Sequence, residues 1–262
     1  MRKRLGGLAC VTAMLAVVLP GIAQADDDIQ TLTAGITPTK LDKEKPRSVQ
    51  LAVDIQTHPN TGASIKSDQP PNASLTVVDF PRNISIDTSK VPRCKVSADQ
   101  LENTVSEEAI ELCGKRSVIS VPALSSSHVT VDLDPAMPGS ATMPIEVVLT
   151  AFNGHDPNTL YFHNRADAVN TTTILREELQ KSKAGKAYGT SLITHIPPIL
   201  AGAPDDFKVA VKKGTIVSAV CKSKRNPFRL TSTFIDWAGG TTGRASTETT
   251  CEQKKSGKKP KK

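Results

Sequence analysis

The sequence predicts a mainly β protein, an antiparallel β-sandwich or jelly roll with one short helical insertion near residues 97–112. Three observations carry this. Thr, Val, Ser and Ile dominate the composition, Gly and Pro recur at turn-like intervals, and short runs of apolar and polar residues alternate along most of the chain.

The amino terminus comes first. Arg2, Lys3 and Arg4 precede an apolar run from Leu8 to Leu19, then "PG" and the small-residue pattern Ala23, Gln24, Ala25. This reads as a secretory signal peptide over residues 1–25. The run falls short of the roughly 20 apolar residues of a transmembrane anchor and ends at "DDD" rather than at basic residues. Cys10 sits inside the run, where a lipidated cysteine would follow it. The formal charge of +7 loses three positive charges with this segment and six more with the carboxy-terminal "KKSGKKPKK", leaving −2 over residues 26–253. A body so near neutrality is a poor candidate for a nucleic-acid-binding face.

Residues 26–47 read as a flexible N-terminal arm with at most one strand, and residues 48–253 as a single β-sandwich domain. Strand-like runs are "SVQLAVDIQT", "SLTVVDF", "HVTVDLD", "PIEVVLTAF", "TLYFHN", "DFKVAVKK", "TIVSAVC" and "FRLTSTFIDW". In the third, Val129, Val131 and Leu133 alternate with Thr130 and Asp132, giving one inward and one wet face. "NGHDPN", "KKG" and "AGGTTG" carry turn chemistry, and the paired prolines of "SDQPPNAS" mark a loop. Residues 254–262 hold no large apolar side chain and are expected to be a disordered Lys-rich tail.

Within "VPRCKVSADQLENTVSEEAIELCGKRS", Ser97 and Gln100 have capping-box spacing. Ala98, Leu101, Val105, Ala109 and Leu112 then follow helical spacing, predicting one helix or two short ones broken near Asn103, laid across a sheet edge or end. Asp99 and Glu102 suit the dipole of a helix starting there, whereas Glu107, Glu108 and Glu111 do not. Once Cys10 leaves with the signal, Cys94, Cys113, Cys221 and Cys251 remain. No CxxC spacing favours zinc or a redox pair, so structural disulfides are expected, with the sequential pairing favoured among three connectivities. If residues 215–221, 227–237 and 244–252 formed a flat meander, Cys221 and Cys251 would lie about 9.6 Å apart, beyond the reach of a disulfide. The second bond therefore requires one or both cysteines to lie past the strand ends.

The arrangement "VDFPRNISID…VPRCKVSADQLE…LCGKRSVIS", with "CKSKRNPFRLTSTFIDWAGGTTGRASTETTC" downstream, resembles uncharacterised secreted proteins of high-GC Gram-positive (actinobacterial) bacteria. It covers residues 74–124 and 206–252 and departs from the pattern after Cys113, where a Pro is expected. The resemblance implies export and a Cys-bracketed β architecture, and brings no activity or catalytic residues.

The sequence lacks GxSxG, HExxH, P-loop and GxGxxG motifs. His155, Asp156 and His163, around a predicted hairpin, are the candidates for base, orienting carboxylate or metal ligand. "DDD" at 26–28 and "DD" at 205–206 lack the spacing of a calcium loop and read as solvated loop. Trp237 is the one candidate for sugar stacking, with packing at a turn favoured over it. Lys254, Lys255, Lys258, Lys259, Lys261 and Lys262 could hold the protein on an anionic cell-wall polymer or acidic surface, each contributing up to about 1 kcal/mol. No cofactor, resident metal or specific nucleic-acid partner is expected. The leading functional reading is a secreted, non-enzymatic structural or binding protein retained at the cell surface by its tail. A hydrolase or metal-dependent enzyme using His155 and His163 is one rival. The other is a carrier of an apolar ligand, which requires an enclosed cavity of a few hundred Å³.

Overall fold

The computed structural model describes residues 29–59, 70–134, 141–197, 202–235 and 242–254. The strands are β1 (Gln30–Thr37), β2 (Lys40–Leu41), β3 (Arg47–Ser48), β4 (Gln50–Thr57), β5 (Asn72–Pro81) and β6 (Ile84–Ile86). The helix α1 (Ser106–Cys113) precedes β7 (Ser126–Asp132), β8 (Thr142–Asn153), β9 (Thr159–Ala166), β10 (Thr171–Lys181) and β11 (Tyr188–His195). The chain ends with β12 (Gly202–Val211), β13 (Val217–Ala219), β14 (Arg225–Ile235), β15 (Thr242–Thr250) and β16 (Glu252–Gln253).

The protein is mainly β and antiparallel, as expected, but the two-layer sandwich is not what forms. Eleven strands pair into one continuous sheet in the order β1-β4-β12-β7-β8-β9-β10-β11-β5-β14-β15. Each strand twists relative to its neighbour, and bulges at Tyr188/Thr190, Pro204/Asp206 and Thr233/Phe234 add bend. The sheet curls until its edge strands β1 and β15 lie side by side, giving a nearly closed barrel. The parallel pair β2 and β16 stitches this seam, with the Glu252 amide donating to Thr39 O at 2.9 Å and the Lys254 amide to Leu41 O at 2.8 Å.

The arm expected over residues 26–47 is corrected by β1, whose whole length pairs with β4 and whose Leu32 and Ile36 are buried in the core. β10 and β11 had no counterpart in the sequence reading. β13 is also shorter than the run "TIVSAVC" and leaves the large sheet, pairing with β3 and β6. These segments therefore form no flat meander. Cys221 follows β13, Cys251 follows β15, and the two form a disulfide with Cα atoms 5.8 Å apart.

Cys94 and Cys113 form the other disulfide. The segment they bracket is two short helices rather than one: a 3-10 turn at Asp99–Leu101, then α1, with Asn103 between them at φ 64°. Because the second helix starts at Ser106, Glu107 and Glu108 lie in its first turn and suit its dipole after all. Half of the capping box forms, as the Ser97 amide donates to Gln100 Oε1 at 3.1 Å. Val105 leaves the apolar stripe for solvent, since it sits in extended backbone ahead of α1. The segment lies on the outer face of the barrel rather than on a sheet edge. There Leu101, Ala109 and the disulfide cover Phe152 of β8 and Tyr161 of β9. Full burial of a side chain such as Leu101 contributes about 1.5–3 kcal/mol.

Candidate functional site

Strand pairing decides which residues face the barrel interior. In β4, Leu51, Val53 and Ile55 point inward; in β8, Ile145 and Val147; in β9, Leu160 and Phe162. A barrel of about eight strands is filled by its own side chains, whereas a wider one leaves internal space. Here the eleven-stranded wall encloses a cavity of about 560 Å³. Ile86, Ile216 and Val217, from the small sheet and the turn before it, bound the cavity at the end carrying the Cys221–Cys251 disulfide. At the opposite end Ala166, Val169 and Pro197 line it, and Val169 is also exposed to solvent, so the cavity reaches the surface there.

β10 contributes Thr171, Thr173, Leu175, Glu177 and Leu179 to this lining, the odd-numbered residues of one strand. Glu177 is therefore a carboxyl group in an otherwise aliphatic stretch, with 0% of its surface exposed. It faces Leu160 of β9 in the register on one side and Thr194 of β11 on the other. The Thr194 hydroxyl donates to Glu177 Oε2. Glu177 Oε1 is buried and has no hydrogen-bond partner. Burial pushes the Glu177 pKa up to about 8, opposed by the Thr194 hydrogen bond. Near the mouth, Gln30 donates through Nε2 to Thr57 Oγ1 at 3.2 Å, while its Oε1 is likewise buried without a partner.

The catalytic candidates are not brought together. His163 is fully buried on the outward face of β9, with Nε2 3.1 Å from Thr104 Oγ1 and 3.2 Å from Thr104 O. Burial lowers its pKa, so it stands neutral and ties the helical insertion to the barrel wall. His155 Nδ1 lies 3.2 Å from Cys94 O, and Asp156 pairs with Arg176 at 3.0 Å. His155 and Asp156 lie in the turn between β8 and β9, where Gly154 is required because a Cβ would overlap Thr159. Among the described residues, no group of three His, Cys, Asp or Glu is placed to hold a metal.

Asp205 and Asp206 lie in β12 rather than in a solvated loop. Asp205 accepts from Thr130 Oγ1 at 2.6 Å, and Asp206 pairs with Lys208 at 2.7 Å beside His128 at 3.3 Å. Trp237, the acidic run 26–28 and tail residues 255–262 lie outside the described residues. Of the tail lysines, Lys254 alone is described, bound through its backbone to Leu41. No helix among the described residues is long and apolar enough to cross a membrane.

Sequence reading missed Glu177 because "TTTILREELQK" is polar overall. Its signal was the alternation Thr173, Leu175, Glu177, Leu179, which places the carboxyl on the apolar stripe once the run is taken as a strand. No family model, curated protein or solved structure matches the chain.

Proposed function

We propose that this protein is a carrier that holds an aliphatic molecule inside its barrel. The observation supporting this most directly is the cavity of about 560 Å³, within the range that accommodates small ligands. If a void of that size stayed dry and unfilled, the cavity cost of about 24 cal/mol per Å³ would reach roughly 13 kcal/mol. That equals the whole stability of an ordinary domain. The volume therefore favours an occupant over a purely structural role. The scatter of His155, Asp156 and His163 weighs against the hydrolase reading.

The carrier reading is tested by titrating the protein with straight-chain acyl compounds of increasing length. Each methylene leaving water contributes about 0.8 kcal/mol, so affinity is expected to rise roughly fourfold per methylene until the cavity is full. Affinity independent of chain length, or no binding, overturns it.

The place of action belongs to the same proposal. The leader-like residues 1–25 and the disulfides favour export, as does the resemblance to secreted actinobacterial proteins, and the lysines from Lys254 to Lys262 favour loose retention on an anionic surface. Deleting residues 254–262 is expected to release the protein from cells at low salt. Unchanged, salt-insensitive retention would refute the tail's role.

A further inference from the structure

An apolar wall selects for size and apolarity, and Glu177 sets a carboxyl group into it between Leu175 and Leu179. A buried polar atom without a partner costs about 1–3 kcal/mol, and native structures keep few of them. Glu177 Oε1 is such an atom, on a side chain that is 0% exposed and lines the cavity. Among the described residues, its surroundings offer no counter-charge. Leu175 and Leu179 flank it on β10, Leu160 faces it from β9, and Leu192 and Thr194 come from β11. The other carboxylate lining the cavity, Asp206, differs in having cationic partners: its Oδ2 meets Lys208 and His128, although its Oδ1 is likewise buried without a partner.

The hydrogen-bond pattern also places the proton. Among the described residues, the Thr194 hydroxyl has its side-chain hydrogen bond to Glu177 Oε2 and to no other group. A hydroxyl in that position satisfies its own hydrogen by donating. Oε2 is then the accepting oxygen. With the carboxyl neutral in its apolar site, the acid proton sits on Oε1 and points to an absent acceptor.

We propose that Glu177 is the polar anchor of the cavity, donating from Oε1 to a carbonyl oxygen of the ligand, and that the ligand class is an uncharged acyl compound such as a long-chain ester. The inference rests on the carrier reading and adds head-group selectivity to it. An alkylamine is protonated at neutral or lower pH, has donors only in that form, and would require Glu177 to ionise in an aliphatic wall.

The test compares methyl palmitate, hexadecane and hexadecylamine as competitors for a bound apolar fluorophore, using the intact protein at pH 6. The ester is expected to displace the fluorophore roughly tenfold better than the hydrocarbon, one hydrogen bond's worth. Glu177→Leu should erase that difference while retaining hydrocarbon binding, and Glu177→Gln should keep most of it through its amide donor. The wild-type ranking needs no variant, so a folding defect in either one leaves the proposal open to refutation. Equal binding of ester and hydrocarbon, tightest binding of the amine, or an ester preference that survives Glu177→Leu would each overturn the anchor. Failure of every aliphatic competitor would instead overturn the carrier reading.

Discussion

Asp79 and Glu177 are both carboxyl groups sealed from water, at 1% and 0% exposure, and the barrel treats them in opposite ways. Asp79 lies on β5 between the cavity-lining residues Val78 and Phe80 and faces away from the cavity. Its Oδ1 accepts from Ser182 and Ser191 hydroxyls, each at 2.6 Å, and its Oδ2 from Arg229 at 2.8 and 2.9 Å. Arg229 in turn lies 5.5 Å over the Tyr188 ring. Glu177, on the inner face, has Thr194 and nothing else. Charge burial on the outer face is completed by Ser182, just past the end of β10, and by partners from β11 and β14, as stability requires. On the inner face it is left incomplete, as expected of a group that meets its second partner in a ligand.

Breaking each side of this contrast should separate them. Asp79→Asn removes the charge that Arg229 faces, and truncating one partner of a buried ion pair costs about 3–5 kcal/mol. The matching change Glu177→Leu, measured near pH 5 where the carboxyl is still largely uncharged in the fold, removes a group that gains little from the fold and should leave stability unchanged or raise it by about 1 kcal/mol. Urea midpoints in ligand-free protein read both values. Equal losses at the two positions would make Glu177 a structural carboxyl like Asp79.

How much of this was legible in the sequence follows from what alternation can report. β4, β7, β8 and β12 announced themselves because one face is aliphatic and the other wet, as in Leu51, Val53 and Ile55 against Ala52, Asp54 and Gln56. The same alternation serves a sandwich and a barrel equally. Closure depends on β1 meeting β15 across two hundred residues, which no local pattern encodes. In β9 the alternation fails because both faces are covered: Leu160 and Phe162 by the cavity side, Tyr161 and His163 by the stapled segment 94–118. His163 thus looked like a ligand when it is a packed, hydrogen-bonded part of the wall. The staple itself was legible, since the leader-like residues 1–25 and the absence of close thiol spacing favoured structural disulfides, with the sequential pairing of Cys94 and Cys113 preferred among three connectivities. The anchor was not, because Glu177 and Glu178 adjoin in a polar run and only the register with Leu160 and Thr194 tells which one turns inward.

A finer test uses pH. In the fold Glu177 keeps its proton up to about 8, whereas in the unfolded chain it loses it near the ordinary value of 4.5. Between those values the native state binds the extra proton, so stability from this group is full below about 4.5, declines as pH rises, and is gone above about 8. The slope within the window is about 1.4 kcal/mol per pH unit. His163 contributes the opposite sense: its lowered pKa makes the unfolded state the better proton binder, so its stabilisation is lost as pH falls below the ordinary 6.5. Subtracting the stability profile of Glu177→Gln from that of the wild type cancels His163 and leaves the falling Glu177 limb. Thr194→Val then sharpens the result. The Thr194 hydroxyl favours the ionised carboxylate, so removing it should cost about 1 kcal/mol and carry the upper end of the window above the wild-type value of about 8. A difference profile flat between pH 5 and 8 would mean that Glu177 is ionised in the native state. Its Oε1 would then carry no proton to donate, and a cation would be the better match for the cavity.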